Sequence, residues 1–373
     1  MKSWRKVAVV ATVAMAFGTL GACSSTRSDS GGDSTSAAPS DTLVGIAMPT
    51  KSLERWNNDG SHLQDLLKKE GYKTTLQYAD NKVDQQITQI QNMVNDGAKV
   101  LVIASIDGTA LGPVLQTAAK DGVKVIAYDR LINDTQNVDY YATFDNELVG
   151  KLQGEYIESA LKLKDGKGPY NIEMFAGSPD DNNAKFFFKG AYDVLKPYID
   201  SKKLVSPSGK IPASADKWTQ IGIQGWDSSK AQAEMENRLN SFYKSKKVDV
   251  VLSPNDSLAL GIEQALQGAG YKAGDDWPVI TGQDADLANV KNMLAGKQSM
   301  TVWKDTRTLG DQVAKMVDQI VKGETVDVND TDSYNNGVKN VPSYLLKPQV
   351  VTKDTVESTL VKSGFYSASD LGL

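Results

Sequence analysis

Short apolar runs recur along the chain, separated by longer segments whose apolar residues return every three or four positions. The runs are LVGIAM (43–48), TTLQYA (74–79), VLVIAS (100–105), KVIAYD (124–129) and YYATFD (140–145), then YNIEMFAG (170–177), VDVVLSP (248–254), PVITGQD (278–284) and SMTVWKD (299–305). Each has the length and branched character of a buried strand, and the segments between them, such as 84–96 and 229–244, carry the stripe of an amphipathic helix. Strands that are apolar on both faces and alternate with helices predict parallel sheets covered on both sides. Residues 100–129 and 250–284 share one layout, strand, polar turn, helix, glycine turn and strand, each ending in an aspartate. The fold expected is therefore α/β, with two doubly wound parallel-sheet domains.

The ends depart from this rhythm. Lys2, Arg5 and Lys6 precede an apolar run, Val7–Leu20, too short to span a bilayer, and the run closes in Leu20-Gly21-Ala22-Cys23. This predicts a signal peptide over 1–22, and the four residues resemble a bacterial lipobox, which implies cleavage before Cys23 and lipid attachment to its sulfur. Residues 24–41 are a Ser/Gly/Asp/Thr tract, expected as a disordered tether over 23–41.

Composition removes several chemistries. Cys23 is the only cysteine and His62 the only histidine, so disulfides, thiolate metal sites, multi-histidine zinc sites and a conventional Ser-His-Asp hydrolase are not expected. Loss of residues 1–22 takes away three basic residues and moves the formal net charge from −5 to −8, a poor match to nucleic acid.

The polar residues cluster where the strands end. They include Arg55 and Trp56, Asp107, Asp129 and Arg130, Asp145 and Asn146, Asp180, Asp181 and Asn183, Asn255 and Asp256, Asp284 and Asp286, and Lys304 and Asp305. Single residues of this kind are ordinarily helix caps or surface ion pairs, and Asp107, Asn146 and Asp256 fit the cap role. Their recurrence at strand after strand suggests a shared purpose, because open α/β sheets bind ligands beyond the carboxyl ends of their strands. Carboxylates accept hydrogen bonds, asparagine does both, and guanidinium donates in a fork. With Trp56 and Trp226 as flat faces and more carboxylates than bases, the set suits a neutral molecule bearing adjacent hydroxyls, a sugar. Trp218 and Trp277 read as core tryptophans, and Lys51 as either a ligand contact or a rim residue.

The segments LERW (53–56), QIQNMV (89–94), VLVIA (100–104), IAYDRLIND (126–134), FDNELVG (144–150), GSPDDNNAK (177–185), PNDSLA (254–259), TGQDADLA (281–288) and MTVWK (300–304) together resemble the periplasmic sugar-binding proteins of ABC importers. The likeness is to the ribose/galactose/xylose type, nearest its xylose-binding and multiple-sugar-binding members, and it runs from Leu43 to about Val356. It implies a type I periplasmic binding fold with three hinge crossings, near Asp145, Asp305 and Lys339. One lobe would comprise 42–145 with 306–338, the other 146–305 with 339–373. Sugar contacts would fall to Arg55, Trp56, Asp129, Arg130, Asp181, Asn183, Trp226, Asn255, Asp284 and Lys304. The resemblance implies a monomeric, lipid-anchored, extracytoplasmic receptor without catalytic residues, cofactor or metal, handing an aldose to a permease and its ATPase subunits. A sugar sensor signalling to a membrane kinase or chemoreceptor would use the same residues, and a secreted glycosidase would need a matched carboxylate pair among them.

Overall fold

The computed structural model describes residues 38–274 and 276–373. The expected signal peptide, Cys23 and the tether up to residue 37 lie outside the described residues. Pro39–Asp41 form a 3₁₀ turn, closed by the Thr42 hydroxyl donating to Ala38 O at 3.1 Å, so part of the expected tether is built into the body.

The first half alternates strand and helix: β1 (Leu43–Met48), α1 (Glu54–Lys69), β2 (Lys73–Tyr78), α2 (Val83–Asn95), β3 (Val100–Ile103), α3 (Gly112–Lys120), β4 (Lys124–Tyr128) and β5 (Tyr140–Phe144). The chain continues with α4 (Asn146–Ala160), β6 (Tyr170–Met174), α5 (Asn182–Asp200), β7 (Leu204–Val205), α6 (Ser228–Phe242), β8 (Val250–Leu252), α7 (Asp256–Gly268) and β9 (Val279–Ile280). It closes with α8 (Leu287–Leu294), β10 (Met300–Trp303), α9 (Thr306–Lys322), β11 (Ser343–Leu346), β12 (Gln349–Thr352) and the short α10 (Ala368–Leu371).

These strands form two separate parallel sheets. The first runs β11-β5-β4-β3-β1-β2 and the second β7-β6-β8-β9, with the antiparallel pair β10–β12 joined to it through a bridge between Gln283 and Val302. In β3 every residue is buried, as befits a central strand covered by helices on both faces, whereas β2 at the edge has no fully buried residue. One core of the first lobe holds Ile46, Val102 and Ile126 against Leu63 and Leu67 of α1 and Val313 and Val317 of α9. The second lobe packs Ile172, Val250 and Ile280 against helices α4 to α7. At the crossing of α4 and α5, Gly150 and Gly190 place backbone against backbone: a Cβ at Gly150 would overlap the Phe187 carbonyl, and one at Gly190 the Glu147 carbonyl. This close approach fixes the start of α5, and with it Asn183.

The chain passes between sheets after β5, after β10 and after β11. The last passage corrects the sequence-based boundary: β11 pairs in parallel with β5, Ser343 opposite Tyr141, so residues 343–346 belong to the first lobe and the crossing expected near Lys339 falls at 347–348. The strands β7, β11 and β12 were not expected. β11 and β12 flank Lys347-Pro348, a pair that reads as a loop signal, while partners distant in sequence supply the pairing.

Two expected caps also shift by one residue. Asp145, not Asn146, accepts from Leu148 N at 3.0 Å to cap α4, and Asn255, not Asp256, accepts from Leu258 N at 3.0 Å to cap α7. Asp107 accepts from the Thr109 N–H and hydroxyl, closing a turn ahead of α3 rather than capping it.

Candidate functional site

All ten residues singled out from the sequence line one cavity between the two lobes, joined by Leu53, Phe187 and Gln283. The side chains draw close around it and leave only about 30 Å³ of free space. It lies at the carboxyl ends of both sheets. From the first lobe, β1 leads to Arg55 and Trp56 in the opening turn of α1, and β4 ends at Asp129 and Arg130. From the second, β6 leads to Asp181 and Asn183, β8 to Asn255, β9 to Gln283 and Asp284, β10 to Lys304, and the turn before α6 to Trp226.

Three carboxylates (Asp129, Asp181 and Asp284) and three cations (Arg55, Arg130 and Lys304) line the space, with a fourth carboxylate, Asp59, behind Arg55. The excess of acid over base expected from the strand ends therefore narrows to one charge. Arg55 is the hub. Its Nη2 donates to Asp59 Oδ2 and Asp129 Oδ2, both at 2.9 Å, and its Nη1 reaches Asp284 Oδ1 of the other lobe at 3.4 Å. Lys304 Nζ pairs with the same Asp284 oxygen at 2.9 Å. Arg130 Nε approaches Asp181 Oδ2 across the cleft at 3.0 Å, close enough for ion pairing though misaligned for a hydrogen bond, and its Nη1 donates to Ser105 O at 3.1 Å.

Burial and pairing compete at these groups. Burial alone pushes the Asp129 carboxyl up, but Arg55, Lys304 and Arg130 together hold it below the usual carboxylate range. Burial opposes the charge on Arg55, yet Asp129, Asp59 and Asp284 hold its pKa well above the ordinary value. At Asp181 burial wins and the carboxyl moves up, Arg130 offsetting only part of it. The neutral groups are equally constrained. Asn183 Nδ2 donates to the Asp129 carbonyl at 2.8 Å, and its Oδ1 accepts from the Tyr141 hydroxyl at 3.0 Å, which fixes the amide's orientation across the lobes.

Two tryptophans complete the walls. The guanidinium carbons of Arg55 and Arg130 lie 4.4 and 5.1 Å from the Trp56 ring centroid, and Trp56 Nε1 is buried with no hydrogen-bond partner among the described residues. Trp226 donates through Nε1 to Asp181 Oδ2 at 3.1 Å and packs on Gly177, where any side chain would occupy the space of the ring. Asp129, Trp226 and Asp284 all have positive φ, so three of the site's residues are held in backbone conformations that L side chains rarely adopt.

Several polar residues are placed elsewhere. Lys51 is exposed, its Nζ 5.0 Å from the Tyr78 ring, and does not line the cavity. His62 faces Asp311 of α9 at 3.1 Å. Trp218 is buried in the second core and Trp277 packs at its margin. Of the residues missed, Leu53 and Phe187 carry no polar signal, and Gln283 lay within a strand run where its neighbour Asp284 drew attention.

A family model described as a periplasmic binding protein domain matches residues 44–325. The chain belongs to the periplasmic binding protein family. It is 53% identical over 329 residues to the multiple sugar-binding periplasmic receptor ChvE of Rhizobium radiobacter, covering 88% of this chain and 92% of that one. To the D-xylose-binding periplasmic protein of Escherichia coli K12 it is 39% identical over 328 residues, again 88% and 92% of the two chains. Among solved structures, an ABC transporter solute-binding protein from Clostridium phytofermentans with bound β-D-glucose superposes with a TM-score of 0.84 at 52% identity, over 88% of this chain and all of that one. The two α/β lobes of this chain thus share their fold with that structure.

Proposed function

We propose that this protein captures a monosaccharide, an aldose such as xylose, glucose or galactose, in the cavity between its lobes and delivers it to an ABC sugar transporter. The observation that carries the reading is a small, almost charge-balanced cavity in which donors and acceptors from both lobes converge and each lobe contributes a tryptophan. A pyranose offers hydroxyls that donate and accept at once, and C–H faces that pack on indole rings. An anion would face Asp129, Asp181 and Asp284 without a surplus of cations to receive it. The ten predicted residues are the sugar contacts, with Arg55, Arg130 and Lys304 as donors, Asp129, Asp181 and Asp284 as acceptors, and Asn183 and Asn255 able to do either.

Because Arg55 pairs with Asp284 across the cleft, the lobes close on the sugar by hinge motion at their three crossings, and the closed form is what the permease and its ATPase subunits receive. Lipid attachment at Cys23 and the tether hold the protein, as a monomer, at the outer face of the cell membrane. The protein turns nothing over: each cavity carboxylate faces a cation, so none is set up as one of an acid and base pair. Calorimetric titration against xylose, glucose, galactose, arabinose and ribose tests the reading. Micromolar or tighter binding of at least one is expected, and binding no better than millimolar by all of them overturns it. Release of aryl alcohol from aryl glycosides would contradict the absence of catalysis.

A further inference from the structure

Asp284, which lines the cavity, and its buried neighbour Ala285 both carry positive φ, at 99° and 59°. Neither is a glycine, so the turn is sterically disfavoured and persists only because its surroundings over-determine it. Three of its polar groups are tied by the second lobe itself. Asp284 N donates to Val302 O at 2.9 Å, Ala285 N to Thr301 Oγ1 at 3.2 Å, and Asp286 N to Asp256 Oδ2 at 3.0 Å. The fourth, the Ala285 carbonyl, accepts from the Tyr366 hydroxyl at 2.9 Å.

Tyr366 comes from the segment that follows β12 and returns to the cleft rim. Phe365 anchors that segment, its ring 5.5 Å from Trp303 and 4.8 Å from Tyr366, with the Arg307 guanidinium 5.2 Å away. Arg307 also donates to Ser363 O at 3.2 Å. The Tyr366 hydroxyl stands 3.4 Å from Glu54 Oε1 of the first lobe, a longer approach that shares the same proton. Burial, with the carboxylates of Glu54, Asp286 and Asp256, raises the phenol's pKa and keeps it a donor.

We propose that Tyr366 is a positioning residue of the sugar site, its hydroxyl holding Ala285 in the left-handed conformation that aims the Asp284 carboxylate into the cavity. The assignment rests on the sugar-binding reading above. Its test compares Tyr366→Phe in two backgrounds, the natural chain and Ala285→Gly. Phenylalanine keeps the ring and removes one hydrogen bond, so affinity for the best-bound aldose should fall roughly 3- to 10-fold in the natural background. Glycine adopts positive φ without strain, so in Ala285→Gly the same change should cost less than about twofold.

Hydrogen exchange in sugar-free protein gives a second readout. Tyr366→Phe should speed exchange of the Ala285 and Asp286 amides roughly 5-fold by loosening the turn. Equal affinity losses in both backgrounds would make Tyr366 a packing residue only and overturn the proposal, as would unchanged affinity or unchanged exchange. If the natural chain binds no aldose, the sugar reading falls, and exchange still decides whether Tyr366 holds the turn.

Discussion

Asp284→Asn is the sharpest test of how the cleft works, because one carboxylate oxygen serves both lobes. Asp284 Oδ1 pairs with Lys304 Nζ at 2.9 Å within its own lobe and with Arg55 Nη1 at 3.4 Å across the cleft. Asparagine preserves shape and removes the charge. The Lys304 pair exists whether the lobes are open or closed, so it does not contribute to closure. The Arg55 pair forms only when the lobes meet. At 3.4 Å and an effective dielectric of about 20 its gross attraction is ~5 kcal/mol, most of which desolvation cancels. Loss of a charge-assisted hydrogen bond to the ligand costs a further ~1.5–3 kcal/mol. A net weakening of ~2–4 kcal/mol follows, which is ~30- to 1,000-fold in Kd. Calorimetry on natural and variant protein reads the affinity, and thermal unfolding without sugar reads the stability. That role for Asp284 is separated from a mere loss of stability by the sugar-free melting point, which should fall somewhat because the buried Lys304 ammonium loses its ion-pair partner. An affinity within threefold of the natural protein would refute it, as would a loss fully explained by unfolding of the variant.

Two further outcomes follow from the same structure. Trp56 is both a cavity wall and part of the first lobe's core, so Trp56→Ala should abolish measurable sugar binding and cost on the order of 3–5 kcal/mol of stability, whereas Trp56→Phe should fold normally and bind about tenfold more weakly, by calorimetry and melting. Glu263 on α7 is buried, accepting from Asn292 Nδ2 at 2.5 Å, and burial pushes its pKa up to about 8. Its folded pKa exceeds its unfolded one, so its favourable contribution is complete below about pH 4.5 and is lost as pH rises toward 8. Glu263→Gln should therefore leave stability near pH 4.5 unchanged and raise it at pH 9 by as much as ~4 kcal/mol, read as melting temperature against pH. A variant whose melting curve parallels the natural one across that range would disprove the assignment. Asp286, raised by burial and by Asp284 and Glu54, slopes the same way, so the flattening in Glu263→Gln is partial.

Much of the cavity's lining was legible in the sequence, and the reason is positional. A parallel sheet lays its strands side by side with their carboxyl ends at one edge, so polar residues ending successive apolar runs are brought together by the fold class alone. Arg55, Asp129, Asn255, Asp284 and Lys304 could be found this way without knowing strand order. Tertiary structure alone decided which partner each charge takes. That Arg55 holds Asp59, Asp129 and Asp284 at once depends on a helix turn and two lobes meeting, separations that no local pattern encodes. It also decided that β11 returns to the first sheet, because its pairing with β5 is a long-range choice carried by backbone hydrogen bonds rather than by side-chain rhythm. Tyr366 shows the limit most clearly. Eighty-one positions separate it from Ala285, and only the fold of the closing segment brings its hydroxyl to that carbonyl.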